Sequence, residues 1–438
     1  MFIQKLQQGF NTCITTSVLL CIFGFLKEIR PSEPFNYEFL IGVSRNLTDV
    51  QVIQQVYPIG TLSYLVQLSI LFLIADLCRY KPIMVLSGTA GITVWGMYLW
   101  TKSLEEIQIT QIMYGTFCAS EVAYFTCIYA NVDFKKYKLL SSHCKIAVFA
   151  GQAFSGILSQ IIVSFSIMNY RQLNYITFAA MLGLMLWSLI LPCTEKSIYF
   201  HQHPAAQLSI CERNKLAYSS IWQDLLNAYS NKYILKWCVW WILASCGFFQ
   251  TRAYIQPLWS DIANDHNQTL YNAAAESLFT ISSFLGSSIA GMLRIDWTTK
   301  GELSLTCCSL LQGFALLILS QAANIKVGYT CYIVFGGLFN LMITIANSEI
   351  AHYIKENSYG LIYFFNTFVA LIFQSLLITL VVTNQIGFAL SPRKQYFVYG
   401  LFHTVLACSF IIIGFCGWLA SKKDYRKTSI ATQPVIIL

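Results

Sequence analysis

The segment TEKSIYFHQHPAAQLSICERNKLAYSSIWQDLLNAYSNKY, residues 194–233, is the longest polar break in the chain. Long apolar stretches lie on both sides of it, and hydrophobic residues make up 56% of the 438 while charged residues make up 11%. A soluble protein usually has about 25% charged residues. The composition therefore predicts an all-α polytopic membrane protein, which this break divides in two.

The apolar stretches are long enough to be membrane spans, since about 20 residues are needed to cross a bilayer as a helix. The first is not typical of a cleaved signal peptide, because TSVLLCIFGFLKEIR continues without a small-residue cleavage site and a second span follows. We count twelve spans, at 10–29, 57–76, 82–101, 108–131, 145–167, 174–193, 234–257, 271–293, 303–322, 328–351, 359–383 and 396–420.

The spacing of the spans predicts two similar halves. A six-helix half at 1–193 precedes the central loop at 194–233, and a second six-helix half at 234–420 precedes a tail at 421–438. Six plus six helices is the plan of major-facilitator carriers.

Basic residues in the breaks predict the orientation, because short loops rich in Lys and Arg stay in the cytoplasm. Both termini, the central loop and the tail are then cytoplasmic, and the net charge of +8 reflects contact with the lipid bilayer rather than with nucleic acid. The basic residues of these breaks are Arg79, Lys81, Lys135, Lys136, Lys138, Lys196, Arg213, Lys215, Lys232, Lys422, Lys423, Arg426 and Lys427.

The break at residues 30–60 then lies outside, as does the break after the seventh span. Each carries an N-glycosylation acceptor, at Asn46 and Asn267. A sequon is used only where it faces the lumen during synthesis. We expect both to be glycosylation sites, although chance triplets of this kind are common.

Metal, cofactor and enzyme functions find little support. The fifteen cysteines lie mostly within spans and form no CxxC pair. His201 and His203 have no Cys or acid at ligand spacing, and the sequence carries no P-loop, G-x-S-x-G or HExxH motif. We therefore expect no metal site, no cofactor and no catalytic residue.

Short charged loops follow the second span and the eighth span. The first contains Asp76, Arg79 and Lys81, and the second runs from Arg294 to Glu302. Equivalent positions in two halves suggest gating ion pairs that break and form between two conformations. Ordinary positive-inside loops explain the same residues equally well.

Polar residues within spans are candidates for solute binding, because an acid there costs about 2.5 to 3.5 kcal/mol on insertion scales. Glu121 is the clearest case, and it either contacts the solute or pairs with a base on another helix. Tyr114 and Tyr124 are predicted to share its face, and Asn272 shares a face with Glu276 in the eighth span. Gln374 in the eleventh span is either a binding group or interhelical glue.

Several of these segments resemble motifs of the reduced folate and thiamine carrier family of the major facilitator superfamily. They are GFLKEIRPSEPF, YPIGTLSYLV, ADLCRYKPIMVLSG, MYGTFCASEVAYFTCIYA, YNAAAES and LIYFFNTFVALIFQSLL, in the family's order and spacing. The resemblance implies a twelve-helix fold, a plasma-membrane location and uptake of a water-soluble vitamin.

The resemblance also bears on the substrate. Glu121 and Gln374 match the family's thiamine carriers, and Gly336 stands where a basic residue is expected. A set of cations for the two carboxylates of a folate glutamate is then missing, and Glu121 would repel a dianion. Glu33 matches a family acid at the external mouth, or is simply an exposed loop acid.

Two positions depart from the thiamine pattern. Gly60 replaces an aromatic residue expected to stack on the ligand ring, and Gln111 replaces a carboxylate. Either the site takes another heterocycle, or Tyr57, Tyr64 and Tyr114 supply the affinity through stacking and hydroxyl hydrogen bonds.

The sequence thus predicts a secondary transporter for a thiamine-like vitamin, working by alternating access. A reduced folate carrier is the first alternative, and a transport-inactive nutrient sensor on the same fold is an alternative of another class. The predicted partners are a small-molecule vitamin and the lipid bilayer, with a coupling ion or counter-anion left open.

Overall fold

The computed structural model describes residues 17–42, 45, 47–131, 134–192, 210–265, 268–355, 358–384 and 387–431. Within these ranges the regular secondary structure is helical and no strand is found, which confirms the all-α prediction. Asn46, Asn267, His201 and His203 lie outside the described residues.

The helices before the central break are labelled α1 to α8. They are α1 Ser17–Lys27, α2 Asn36–Ile41, α3 Asp49–Leu77, α4 Lys81–Trp100, α5 Leu104–Ala119, α6 Glu121–Asn131, α7 Phe134–Ser164 and α8 Tyr170–Ile190. A 3₁₀ turn at Glu33–Phe35 precedes α2, and α3 has a π-helical turn at Val52–Val56.

The helices from the central break onward are labelled α9 to α16. They are α9 Ile210–Ser230, α10 Lys232–Ala253, α11 Ile255–Asp265, α12 Asn272–Met292, α13 Trp297–Ser320, α14 Ile325–Tyr353, α15 Tyr359–Val381 and α16 Pro392–Ala431.

Every predicted span overlaps one of these helices. Among the described residues, eight helices are long and apolar enough to cross a membrane by length and composition, namely α3, α4, the 140–164 part of α7, α8, α13, α14, α15 and the 392–416 part of α16. The described part of α1 is shorter, and α5, α6, α10 and α12 fall outside that set. The described part of α1, α5 and α6 are each shorter than 18 residues, and all five helices contribute residues to a central cavity. The number of spans stays a prediction.

Two predicted spans are interrupted. The 108–131 span breaks at Ser120, whose hydroxyl donates to the carbonyl of Phe117 at 2.6 Å and so competes with the helix hydrogen bonds. The 234–257 span breaks at Tyr254. Pro257 lacks the N–H that would bond to the carbonyl of Ala253, which explains the end of α10.

The helices pack as two sets with a cavity between them. In the first set α4 packs on α8 and α5, and α3 on α5; in the second α13 packs on α16, α12 on α14, and α10 on α15. The sets meet where α3 packs on α15 and α7 on α12. Phe72 of α3 stacks on Phe364 of α15 with ring centroids 3.7 Å apart.

The segment predicted as an exposed outer loop is partly folded into the bundle. Phe35, Tyr37, Phe39 and Leu40 are buried in the core. The hydroxyl of Ser32 lies 3.0 Å from that of Thr177 in α8. Residues 31–41 are therefore part of the folded bundle, because their apolar side chains pack between the two sets, while the outer placement of the break stays a prediction.

The central break contains a helix that the sequence analysis did not predict. Helix α9 packs on α10 and α15. Its Tyr229 hydroxyl donates to Asn366 Oδ1 at 2.6 Å, and Asp224 pairs with Lys355 at 3.1 Å.

Candidate functional site

A cavity of about 480 Å³ lies between the two sets of helices. Its walls come from the end of α1, the segment after it, α3, α4, α5, α6 and α7 on one side, and from α10, α11, α12 and α15 on the other. A volume of this order fits a small organic molecule, since ligand sites usually measure about 300 to 1,000 Å³.

Charged side chains are numerous in this cavity, although they are rare in the chain as a whole. Three bases and four carboxylates line it, so these groups together carry a formal charge of −1. They are Lys27, Arg30 and Arg252, and Glu28, Glu33, Glu121 and Glu276.

The first group of charges, here named the Arg30 cluster, consists of Glu28, Arg30, Glu33 and Tyr114. Arg30 forms ion pairs with Glu28 and, at 2.9 Å, with Glu33. The hydroxyl of Tyr114 donates to the same oxygen of Glu33 at 2.5 Å. Burial alone would lower the pKa of Arg30, but the charges of Glu28 and Glu33 raise it well above its ordinary value.

Neighbouring helices fix the backbone of this cluster. The Arg30 amide donates to Ser155 Oγ at 2.8 Å, and Ser159 Oγ donates to the carbonyl of Pro31 at 2.6 Å. Gln152 Nε2 donates to Glu28 Oε2 at 3.0 Å. Three α7 residues one turn or less apart thus hold the RPSEPF segment from one side.

The second group, here named the Arg252 cluster, consists of Arg252, Glu276 and Tyr332. Arg252 Nη2 lies 3.6 Å from Glu276 Oε2, and the hydroxyl of Tyr332 donates to Glu276 Oε1 at 2.9 Å. The Arg252 guanidinium lies 5.4 Å from the Phe279 ring centroid. Each cluster therefore contains an Arg, a Glu that pairs with it and a Tyr that donates to that Glu.

Gln256 of α11 connects the two sides of the cavity. Its Nε2 donates to the carbonyl of Glu33 at 2.9 Å, and its Oε1 accepts from the amide of Tyr37 at 2.9 Å. Both groups of the amide are thus bonded to the backbone of the first set. At this end of the bundle the two sets are held together by hydrogen bonds.

Glu121 begins α6 and faces the cavity with 44% of its side chain exposed. The nearest base is Lys27, whose Nζ lies 3.9 Å from Glu121 Oε2. That distance is an ion pair without a hydrogen bond, and Lys27 Nζ has no hydrogen-bond partner among the described residues.

The two departures noted at Gly60 and Gln111 are in contact with each other. A side-chain carbon placed on Gly60 would lie 2.7 Å from Gln111 Oε1, so the amide occupies the space that a larger residue would need. Gln111 Nε2 donates to the Tyr98 hydroxyl at 2.7 Å. Tyr57, three residues before Gly60 in α3, packs edge-on against Tyr254 of the second set with centroids 5.7 Å apart.

Most of the residues expected to bind a solute line the cavity. They are Glu33, Tyr57, Gln111, Tyr114, Glu121, Glu276 and Gln374. Tyr64, expected to stack on a ring, lies among them. Their role in binding stays a prediction.

Tyr124 and Asn272 lie outside the cavity wall. Tyr124 is 1% exposed, and its hydroxyl donates to the carbonyl of Leu20 in α1 at 3.1 Å. The prediction that it shares the cavity face of Tyr114 and Glu121 is therefore wrong: Tyr124 packs against α1, while Tyr114 and Glu121 line the cavity. Asn272 is buried and accepts from the Tyr329 hydroxyl at 2.9 Å.

The candidate gating residues lie at the turn between α3 and α4. Asp76 accepts a hydrogen bond from the Tyr80 hydroxyl, and Lys81 Nζ donates to the carbonyl of Leu189 at 3.0 Å. Arg79 is exposed and, with a φ of 57°, helps make the sharp turn. In the second set, Asp296 caps α13 by accepting from the Thr298 amide at 3.0 Å. A gating role for these residues stays a prediction.

The sequence analysis missed five polar residues of the site: Lys27, Glu28, Arg30, Arg252 and Gln256. Lys27, Glu28 and Arg252 fall inside predicted spans, so the insertion cost used for Glu121 would have marked them too. Gln256 gives no such signal, because a lone Gln near a span end is common. In the described part of the chain, no group of three His, Cys, Asp or Glu is placed to hold a metal ion.

Comparisons with known proteins agree on one family. The model of the reduced folate carrier family matches residues 11–398. Human thiamine transporter 2 is 32% identical over 447 residues, which cover 92% of this chain and 90% of the relative. Folate transporter 1 of Caenorhabditis elegans is 32% identical over 435 residues, covering 95% of each.

Solved structures of transporters are similar in fold. The nucleoside transporter NupG, in its D323A mutant form, aligns with a TM-score of 0.62 and 14% identity, covering 91% of this chain and 99% of the other. A POT family transporter in complex with a thioalcohol-conjugated peptide aligns with a TM-score of 0.66 and 12% identity, covering 90% and 95%.

Proposed function

Since the chain belongs to the reduced folate carrier family, we propose that it is a secondary transporter that moves a water-soluble vitamin across the plasma membrane by alternating access. Its relatives are membrane transporters rather than enzymes, and the prediction that the chain is not an enzyme is confirmed on that ground. The solute binds in the cavity between the two sets of helices.

The observation that carries this proposal is the pair of Arg, Glu and Tyr clusters facing one cavity, one from each set. The groups are charged, and the side chain of Arg252 is 42% exposed to the cavity. A charged side chain within a membrane span is costly unless an oppositely charged residue or a polar solute interacts with it. A site shared by two sets changes shape when the sets move relative to each other, as alternating access requires.

The positions of the clusters support a repeat of six plus six helices. Arg30 follows the first predicted span and Arg252 ends the seventh, which are the first spans of each half. Tyr114 lies in the fourth span and Tyr332 in the tenth, which are the fourth spans of each half. Chemically similar groups at equivalent places are expected of an internal repeat.

A thiamine-like solute is favoured over folate because of the charges of the cavity. Three cations line it, contrary to the expectation that a cationic set is missing, but each lies within 4 Å of a carboxylate. Gly336 adds no charge, and a side-chain carbon there would lie 2.2 Å from the Phe279 ring. A dianion would have to compete with four carboxylates for these bases.

Uptake of labelled vitamins into cells expressing the chain tests the proposal. We expect uptake of thiamine or a related cationic heterocycle, with weak competition by reduced folate. Glu276→Gln is expected to reduce uptake, whereas Glu105→Gln, an exposed acid at the start of α5, serves as the matched control. Uptake of folate without thiamine would reverse the preference. Thermal stabilisation of the purified protein by a vitamin that no cell takes up would instead favour the sensor.

The orientation, with both termini in the cytoplasm, has its own test. Asn46→Gln is expected to raise gel mobility by the same amount as glycosidase treatment of the wild-type protein, while uptake is retained. A wild-type protein at the cell surface whose mobility glycosidase leaves unchanged would remove this support for the orientation.

A further inference from the structure

Lys27, the last residue of α1, presents an ammonium group to which none of the described residues offers a hydrogen-bond acceptor. Its side chain is 5% exposed, it lines the cavity, and its Nζ has no hydrogen-bond partner among the described residues. An ammonium carries three donors, and burying it without an acceptor is strongly unfavourable. The position at the end of a helix is favourable for a cation, but it supplies no acceptor to Nζ.

The surroundings of Lys27 point to an occupant. The nearest carboxylate, on Glu121, lies beyond hydrogen-bond distance at 3.9 Å and is 44% exposed. Glu28, the adjacent acid, is already occupied by Arg30 and by Gln152. The ring of Phe117 lies 5.0 Å below the Lys27 ammonium and offers a cation–π contact, which leaves the N–H donors unused.

A second unsatisfied donor lies against the same ring. The Arg30 guanidinium is 5.6 Å from the Phe117 centroid, and its Nε also has no hydrogen-bond partner within the described ranges. Two buried cationic groups with donors to spare therefore meet at one ring that lines the cavity. Both donors suit the same kind of acceptor, an anionic oxygen.

We propose that Lys27, with Arg30 Nε beside it, binds an anionic oxygen of the transported solute, so that the preferred substrates are zwitterions carrying a phosphate or carboxylate next to a positive centre. This inference rests on the proposed function and names the substrate class of the same cavity. The anionic oxygen belongs either to the solute itself or to a separate counter-anion bound with it, and Lys27 recognises both.

Glu121 repels the bound anion and interacts with the positive centre of the solute instead. Lys27 and Glu121 are 3.9 Å apart, so one ligand can reach both with two neighbouring groups of opposite charge. A solute with only a positive centre leaves Lys27 unsatisfied. A solute with only negative groups meets Glu121 without compensation.

A binding experiment on the purified full-length protein tests this inference apart from transport. The probes are thiamine and thiamine monophosphate, which share one cation and differ by a phosphate, and inorganic phosphate alone. Affinity is measured by thermal shift and by isothermal titration. We expect the phosphate ester to bind about tenfold or more tightly than the alcohol, in line with one charge-assisted hydrogen bond.

Two variants give opposite results if the assignment is correct. Lys27→Met, which keeps the length and removes the charge, is expected to abolish the preference for the ester over the alcohol. Glu121→Gln is expected to increase the preference, because it removes a repelling charge and weakens the hold on the cation. Binding of inorganic phosphate that stabilises the wild-type protein but not Lys27→Met would assign the oxygen to a counter-anion.

Equal affinity of wild type for ester and alcohol, together with no effect of inorganic phosphate, would overturn the inference. A preference for the ester that survives in Lys27→Met would do the same. Lys27→Arg, which keeps the charge, guards against misfolding as an explanation and is expected to retain the preference. If neither probe binds but another vitamin is transported, the proposed function stands and this inference fails.

Discussion

The Arg30 and Arg252 clusters contain the same three kinds of group, yet they are built differently. In the Arg30 cluster, the Arg and both Glu residues lie within six positions of one segment, and the side chain of Arg30 is 13% exposed. In the Arg252 cluster each group comes from a different helix, and the ion pair is longer, at 3.6 Å against 2.9 Å. Arg252 is 42% exposed to the cavity.

The difference separates the cluster that mainly maintains the fold, in which Arg30 Nε keeps a donor for an anion, from the cluster that is open to a solute. Arg30 is held by two carboxylates, and α7 holds the backbone around it, so its charge is largely compensated within the protein. Arg252 has one distant carboxylate and an open side towards the cavity. We expect changes at Arg30 to act mainly on folding and changes at Arg252 mainly on binding.

The largest effect is expected for Arg30→Ala. Removing one member of a buried ion pair leaves its partners uncompensated and costs about 3 to 5 kcal/mol. We expect the amount of folded protein, measured by fluorescence-detected size-exclusion chromatography, to fall to near background. The triple variant Arg30→Ala, Glu28→Gln, Glu33→Gln is expected to recover part of it.

The control for this variant is Lys355→Ala. Lys355 forms an ion pair with Asp224, and the side chain of Lys355 is 72% exposed. Exposed pairs contribute about 0 to 1 kcal/mol, so folded yield is expected to stay near wild type. If Arg30→Ala were as stable as this control, the division of roles between the clusters would be wrong.

Arg252→Ala is expected to leave most of the folded protein at the surface while lowering uptake at least tenfold. Its side chain faces the cavity, so water replaces part of what the protein loses. Uptake normalised to surface abundance separates the two effects. A loss of uptake that merely follows a loss of surface protein would show that the Arg252 cluster is structural as well.

The two tyrosines give a matched pair of smaller changes. Tyr114→Phe and Tyr332→Phe each remove one hydroxyl that donates to a carboxylate, a bond worth about 1.5 to 3 kcal/mol. We expect Tyr114→Phe to lower the melting temperature and Tyr332→Phe to weaken apparent affinity about tenfold. Both melting temperature and affinity are measured for each variant. The same changes in both variants would contradict the division of roles between the two clusters.

The smallest effect is expected for Gln256→Leu, which removes the bridge from the second set to the backbone at Glu33 and Tyr37. Two hydrogen bonds of about 0.5 to 1.5 kcal/mol each are lost, enough to change the balance between conformations without unfolding the protein. We expect Cys118, which lines the cavity, to become more reactive towards an impermeant thiol reagent added outside.

The same labelling is measured in a Cys118→Ser variant. Its value is subtracted, so that only the labelling of Cys118 is compared. Gln256→Glu keeps the acceptor for the Tyr37 amide, and we expect an intermediate rate of labelling. Labelling of Cys118 that does not change in Gln256→Leu would mean that this bridge contributes nothing to closing the outer end.

Much of the fold followed from local sequence properties. Every predicted span overlaps a helix, because apolar stretches of fixed length are imposed by the bilayer itself, although α7 begins eleven residues before its predicted span and α16 ends eleven residues after its own. The breaks at Ser120 and Tyr254 escaped prediction, since each depends on how a hydroxyl or a nearby proline disrupts the backbone hydrogen bonds at a particular turn. Tyr124 was misplaced because helical spacing alone does not determine which neighbouring helix a side chain meets, and here it packs on α1.

The candidate site was predictable where a costly residue revealed itself. Glu121 and Glu276 were found because a carboxylate in a span needs a reason to be there, and Glu33 because it matches an acid of the family motif. Arg252 and Lys27 carry the same signal and were overlooked. Gln256 and the contact between Gly60 and Gln111 were beyond reach, since an uncharged residue acquires its role only from what lies opposite.

The sequence by itself determined that this is an all-helical membrane protein of the reduced folate carrier family, and it marked Glu33, Glu121 and Glu276 as candidate site residues. Hydropathy and charge act locally, so they are readable along the chain. Only the tertiary structure decided which base each acid meets, that Lys27 has donors left over, and that Tyr124 and Asn272 pack away from the cavity. Those outcomes depend on distances between helices that are far apart in sequence, which no local pattern encodes.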